Sequence, residues 1–249
     1  MAFVKVETRN GIATVVFGRD KVNALNGSVI DELRACFKAL EADPDTKAVI
    51  FTGSGKFFSF GFDIPAFLSF AKDEFRDYLV NFTDFYTYLF LFPKPVVAAL
   101  NGHTIAGGCM LALACDYRAM AANKGKISLN EITFGGSVFA GSTAMLRFLI
   151  GSANAAKVLY SGAMYSAEEA LGLGLVQEVT SDTNLMDKAK AIAADLASKH
   201  APAFAGIKAL LRKPIADEWT LREKTSISDF IEIWYAEPTW TNLRDIKIY

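Results

Sequence analysis

The sequence predicts an α/β fold, with strands largely covered on both faces and a helical C-terminal part. Three observations predict it. Two short apolar runs, Lys47–Thr52 (KAVIFT) and Pro95–Leu100 (PVVAAL), are each followed by helical spacing. Strands that lack polar alternation are typical of sheets buried on both faces. Hydrophobic residues make up 52% of the 249 residues and charged residues 21%, which supplies one large core and excludes disorder and coiled coil. From about Thr183 the apolar residues recur only at helical spacing.

The elements follow in chain order. Val4 and Val6, a turn at Asn10-Gly11, and Ile12–Phe17 alternate with period two and predict a β-hairpin. Asn26-Gly27-Ser28 opens a helix through Ile30, Leu33, Phe37 and Leu40, which stops at Asp43-Pro44-Asp45. The KAVIFT strand ends in Gly53-Ser54-Gly55 and PVVAAL in Asn101-Gly102, residues suited to strand-end turns. Phe67, Phe70, Phe75, Leu79, Phe82, Tyr86 and Leu89 form one helical stripe. Such a stripe is ordinary core by default, the alternative being an apolar channel for a fatty chain. Ser166-Ala167-Glu168-Glu169 reads as a capping box, with its glutamates at a helix terminus rather than in catalysis. Leu185, Ala189, Ile192 and Leu196 form one late stripe, Pro202 starts a second helix, and Leu221, Ile227, Ile231 and Trp234 form a third. These late helices read as an appendage or a subunit interface.

Charge excludes several classes. With 26 basic and 27 acidic residues the net charge is −1, so neither nucleic acid nor membrane is expected as a partner. The most apolar run, Phe85–Phe92, is too short to span a bilayer. The first residues alternate and carry charge too early for a signal peptide. Cys36, Cys109 and Cys115 form neither a disulfide framework nor a metal spacing, and His103 and His200 are the only histidines. No metal and no separate cofactor are expected, and the location expected is cytoplasmic. Gly53-Ser54-Gly55-Lys56 lacks phosphate-loop spacing and is followed by Phe57, Phe58 occupies the third glycine position of a dinucleotide fingerprint, and Ser142 is not in a nucleophile elbow.

Two glycine-bearing turns remain. Phe57-Phe58-Ser59-Phe60-Gly61-Phe62-Asp63-Ile64 follows a strand, and Ala106-Gly107-Gly108-Cys109-Met110 opens a helix. Glycines at a helix start let a ligand oxygen approach free backbone N–H groups. Two such donors aimed at one carbonyl oxygen would make an oxyanion hole.

The order and wording of six blocks resemble the crotonase (enoyl-CoA hydratase/isomerase) superfamily: KVNALN from Lys21, FSFGFDI, PKPVVAALNG, AGGCMLALACDYR, LNEITFG and SAEEALGLGLVQEV. The resemblance covers most of the chain. It implies a spiral of ββα units over residues 1–195 and a C-terminal helical trimerisation region over 196–249, with a homotrimer or dimer of trimers as the assembly. It implies an acyl-CoA thioester substrate, whose oxygen the N–H groups of Phe60 and Gly107 would hold. Lys21, Ala24, Leu25 and the Phe58–Phe60 backbone would contact CoA, with Asp63, Ile64, Met110 and Phe134 completing the substrate site.

Two positions divide the superfamily by reaction. Its hydratases carry a carboxylate three residues after the oxyanion glycine, where this chain has Met110, and a second one at the position of Glu131. Hydration uses both groups to position water and handle its protons. A single carboxylate beside an oxyanion hole suits a proton shift from C2 to C4, and AGGCMLALACDYR followed by SLNE is most similar to the mitochondrial-type Δ3,Δ2-enoyl-CoA isomerases. Glu131 is the expected base, its pKa raised by an apolar site, with Phe134, Val138 and Phe139 excluding water. The alternatives are a hydratase that borrows an acid from Asp73, Glu74, Asp77 or Asp84, another acyl-CoA reaction on the same scaffold (thioester hydrolysis, decarboxylation or dehalogenation), and a non-catalytic acyl-CoA-binding or RNA-binding member. Among the remaining polar residues, Asp63 is expected to brace its turn, Asp116 to be a paired structural acid and His103 a hydrogen-bonded structural histidine. Lys208, Arg212 and Lys213 are expected to form a solvated helix face.

Overall fold

The computed structural model describes residues 2–245. The first hairpin pairs β1 (Val4–Arg9) with β2 (Ile12–Phe17) through Asn10 and Gly11, both at positive φ. This is the turn geometry that an Asn-Gly pair favours. Asn26 caps α1 (Gly27–Ala42), its side chain accepting the Val29 N–H at 3.1 Å. Next come β3 (Ala48–Gly53), β4 (Phe57–Ser59), α2 (Ile64–Phe67) and α3 (Lys72–Leu91). They are followed by β5 (Val96–Leu100), β6 (His103–Ile105), α4 (Gly107–Ala114), β7 (Tyr117–Ala121) and β8 (Ile127–Ser128). A 3-10 turn (Glu131–Phe134) precedes α5 (Ala140–Ser161), α6 (Ala167–Leu173), β9 (Glu178–Thr180), α7 (Leu185–Ala197), α8 (Ala201–Tyr235) and α9 (Thr239–Asp245).

Two sheets result. The larger has the order β1-β2-β3-β5-β7-β9, parallel except for the hairpin, and the smaller has the parallel order β4-β6-β8. From β3 onward, successive strands therefore go alternately to the large and the small sheet, and helical segments follow: this is the expected spiral of ββα units. β3 and β5 are buried along their whole length, as their unbroken apolar character requires. Leu185, Ala189 and Ala193 of α7 cover one face of the large sheet, against Ala48, Ile50, Val97, Ala99 and Ala119. The opposite face belongs to the main apolar cluster, which also takes in residues of α1, α3, α4 and α5 and Trp219, Ile227, Phe230, Ile231 and Trp234 of α8; α8 itself packs on α3 and α5.

The aromatic stripe departs from expectation. It is broken after Phe70, because Glu74 accepts the Ala71 N–H at 2.9 Å and starts a new helix there. Phe75, Leu79, Phe82, Tyr86 and Leu89 are all core residues. The two helices expected after Pro202 are one continuous helix, α8, which passes through Pro214. Leu221 lies off its buried face, 85% exposed. Lys208 and Arg212 do not form a solvated face either. They are 5% and 6% exposed and converge on Asp116 at 2.7 and 3.1 Å, because the paired acid expected at Asp116 draws its partners inward. Only Lys213 is solvated, paired with Asp217.

Candidate active site

The small sheet brings the site together. Its strands are parallel, so the segments that follow β4, β6 and β8 leave from one edge, the usual place for a site in such sheets. After β4 comes the Phe60–Asp63 turn, after β6 the Ala106–Gly107 turn, and after β8 the 3-10 turn that starts at Glu131.

The first turn is tied down by the loop before α1. Asn23, buried at positive φ, donates to the carbonyls of Ser54 and Phe57 at 2.8 Å each. The Phe60 N–H donates to Val22 O at 3.0 Å, the Asp63 N–H to Leu25 O at 3.0 Å, and the Leu25 N–H to Gly61 O at 2.8 Å. Phe60 is therefore corrected as an oxyanion donor, because its N–H is spent within the fold. The Phe62 N–H, two residues on, meets no acceptor among the described residues, and neither does that of Gly107 at the start of α4. The two turns touch. A Cβ on Gly61, at φ +94°, would lie 2.9 Å from Ala106 Cβ and 3.2 Å from Gly107 N. A Cβ on Gly107 would lie 2.9 Å from the Phe62 ring.

Glu131 is 4% exposed, and its Oε2 has no hydrogen-bond partner among the described residues. Burial pushes its carboxyl up to about 8, against a smaller opposing pull from its own backbone N–H. It lines a cavity of about 450 Å3 together with Phe60, Phe62, Ile105 and Ala106 from the two turns. Asn130, Thr133 and Phe134 add the wall on the Glu131 side, and Ile64 of α2 adds an aliphatic face. Phe230 and Trp234, one turn apart on α8, and Asn242 and Asp245 of α9 complete it. Phe230 lies 4.6 Å from the Phe139 ring and Trp234 4.7 Å from the Phe75 ring, so core packing fixes both. A larger groove of about 710 Å3, beside the β1–β2 hairpin and α7, contains none of these groups.

Of the residues expected from sequence, Glu131, Phe60, Ile64 and Phe134 line the cavity, and Gly107 follows Ala106 of its wall. Ala24, Leu25, Phe58 and Met110 do not: their side chains are buried in the interior. Lys21 is exposed on the loop that Asn23 holds. Asp63 caps α2 through the Ala66 N–H at 3.2 Å and pairs with Arg19 at 2.6 Å, bracing the turn as expected. His103 accepts the Lys126 N–H at 3.3 Å and packs on Phe57. The aromatic stripe contributes nothing to the cavity, and Asp73, Glu74, Asp77 and Asp84 are exposed on α3 away from it.

Sequence reasoning missed Phe230, Trp234, Asn242 and Asp245, and it missed the Phe62 N–H as a donor, although the bulk of the Phe60 and Phe62 rings at this turn was legible. Phe62 carried a signal as the residue directly after Gly61, whereas the aromatic spacing on α8 was indistinguishable from core. No group of three or more His, Cys, Asp or Glu able to hold a metal occurs among the described residues. No helix among them is long and apolar enough to cross a membrane.

The profile of the enoyl-CoA hydratase/isomerase family matches residues 7–229. The crotonyl-CoA hydratase of Syntrophomonas wolfei is 33% identical over 196 residues, covering 78% of this chain and 75% of that protein. The mitochondrial enoyl-CoA hydratase of Pongo abelii is 32% identical over 227 residues, covering 89% of this chain and 77% of that protein. The crystal structure of human mitochondrial delta3-delta2-enoyl-CoA isomerase superposes with a TM-score of 0.93 at 27% identity, covering 98% of this chain and 96% of that one.

Proposed function

The chain belongs to the enoyl-CoA hydratase/isomerase family, and on that premise we propose that it shifts the double bond of a 3-enoyl-CoA thioester to C2. One observation carries the reading: the buried carboxylate of the cavity is Glu131, and Met110, which the sequence resemblance aligns with the second carboxylate of hydratases, is an apolar interior residue that brings no acid to it.

Ionised Glu131 removes a proton from C2. The electron pair delocalises through the double bond and the carbonyl onto the thioester oxygen, giving a dienolate. The free N–H groups of Phe62 and Gly107 donate to that oxygen, each contributing on the order of 3 kcal/mol by analogy with other oxyanion holes. Protonated Glu131 then returns the proton to C4, the double bond settles between C2 and C3, and the carboxylate is regenerated. A carboxyl raised to about 8 suits this work, because its basicity is brought closer to that of the dienolate. The aromatic and aliphatic wall excludes the water that a hydratase would add. CoA itself is part of the substrate, held by the Lys21–Leu25 loop and the Phe58–Phe60 backbone.

The test is to follow 3-hexenoyl-CoA to the 2-enoyl isomer in 18O-labelled water. No labelled 3-hydroxyacyl-CoA should accompany that product, and Glu131→Gln should reduce turnover by about 100-fold or more. Retained turnover in Glu131→Gln would refute the single-base mechanism. A second reading, hydratase, is favoured by Asp245, an exposed acid on the cavity wall, and by the relatives named hydratase. It requires crotonyl-CoA hydration that Asp245→Asn abolishes.

The assembly proposed is a homotrimer or dimer of trimers, supported by the exposed apolar side chains of Ile207, Leu210 and Leu211 on α8. Sedimentation tests it. Three unpaired thiols support a reducing, cytoplasmic setting.

A further inference from the structure

We propose that Thr239 and Asn242 of α9 are positioning residues that aim Glu131 through the backbone of the 3-10 turn. The proposal rests on the reading of Glu131 as the base.

The need for such residues comes from Glu131 itself. Apart from its own backbone N–H, no hydrogen bond from the described residues fixes its carboxylate, and Oε2 is buried without a partner among them. Its direction is therefore set by the turn that carries it. That turn has four residues, closed locally by the Gly136 N–H donating to Glu131 O at 2.8 Å and the Gly135 N–H to Ile132 O at 3.1 Å, and so short a turn relies on its surroundings for rigidity. Its N-terminal side is held by the small sheet, where Ser128 pairs with Ile105 and its hydroxyl donates to Ala163 O at 2.8 Å.

The C-terminal side ends in carbonyls that the turn cannot satisfy. α9 satisfies two consecutive ones. Thr239 Oγ1 donates to Gly135 O at 2.9 Å and Asn242 Nδ2 donates to Phe134 O at 3.2 Å. The fit is close: Gly135 has φ +86°, and a Cβ there would lie 2.8 Å from Thr239 Oγ1. Thr239 is 5% exposed, so water competes little for its bond. α9 is itself anchored by buried Leu243 and by Trp240 stacked on Tyr235 at 4.9 Å. The same helix walls the cavity with Asn242 and Asp245. The C-terminal segment thus both closes the acyl site and clamps the turn that bears the base.

The experiment measures kcat and KM for 3-hexenoyl-CoA in Thr239→Val, Thr239→Ser, Asn242→Ala and Glu131→Gln. Thr239→Val keeps the side-chain shape and removes the donor, and kcat should fall about tenfold while KM stays within about twofold, since misplacement of a base acts on the chemical step. Thr239→Ser should restore most of kcat, and Asn242→Ala, at an exposed position, should lower it by about threefold. Wild-type kcat in both Thr239→Val and Asn242→Ala overturns the proposal. So does a loss shared by kcat and KM that serine does not rescue. If Thr239→Val fails to fold, Asn242→Ala decides, and unchanged kcat there is the overturning result. An active Glu131→Gln instead removes the reading of Glu131 as base, whereas an inactive one beside normal Thr239→Val and Asn242→Ala removes only the clamp.

Discussion

The backbone N–H of Ala106 donates to the carbonyl of Ser128 at 2.9 Å. This bond joins the turn that opens onto Gly107 to the strand that delivers Glu131 three residues later. The proposed donor and the proposed base are therefore spaced by one sheet ladder rather than by a flexible loop. Groups held in this way need no reorganisation when charge develops on the thioester oxygen.

Ala106 sits at φ +49° and ψ −121°, a conformation that suits glycine and strains alanine. Ala106→Gly should relieve that strain, and after the added freedom of the unfolded chain the net gain is about 1 kcal/mol in urea unfolding. Ala106→Val should lose folding or activity outright, because a β-branched residue resists positive φ. A fully folded, fully active Ala106→Val would show that the turn is not strained.

Activity should depend on Glu131 being ionised in the free enzyme. With its carboxyl raised to about 8, kcat/KM should rise about tenfold per pH unit below that value and level off above it. A flat profile between about pH 6 and 9 would count against Glu131 as the base.

The same burial affects stability, and the sign follows from proton binding. Between the ordinary carboxyl value of 4.5 and the folded value of about 8, the native state holds a proton that the unfolded state has lost. Stability from this group therefore falls as pH rises through that window and stays low above it. Glu131→Gln should stabilise the protein, and by more at pH 9 than at pH 5. The melting-temperature difference between the two proteins, read across pH, is the check. A difference independent of pH would mean that Glu131 is solvated.

Asp116 is the hub of a buried charge cluster. It accepts from Lys208 at 2.7 Å, Arg212 at 3.1 Å and the Val96 N–H at 2.8 Å. Asp116→Ala leaves two buried cations without their counter-charge and should cost about 3–5 kcal/mol. Lys208→Met should cost less, because Asp116 keeps Arg212. Equal losses in chemical denaturation would mean that the cluster does not act through its shared acid.

Local patterns made much of the fold legible in the sequence. The hairpin turn, the Asn26 cap and the buried strands β3 and β5 each follow from a few neighbouring residues. The Glu131 position was legible because the LNEI segment carries it. What could not be read depended on distant partners. Phe60 and Phe62 look alike in sequence, and what decides which N–H is free is the Val22 carbonyl on a separate loop. Lys208 and Arg212 have the spacing of a solvated face, yet an acid 92 residues from Lys208 draws them inward. Phe230 and Trp234 have core spacing because they are core residues that also border the cavity.

The small sheet consists of three very short strands, each supplied by a different stretch of chain and separated by long crossovers. Such pairings can close only after the intervening segments have collapsed, which makes them slow to form. Renaturation from denaturant should accordingly return the circular dichroism of the long helices α3 and α8 first, with thioester turnover lagging until the three-stranded edge has assembled.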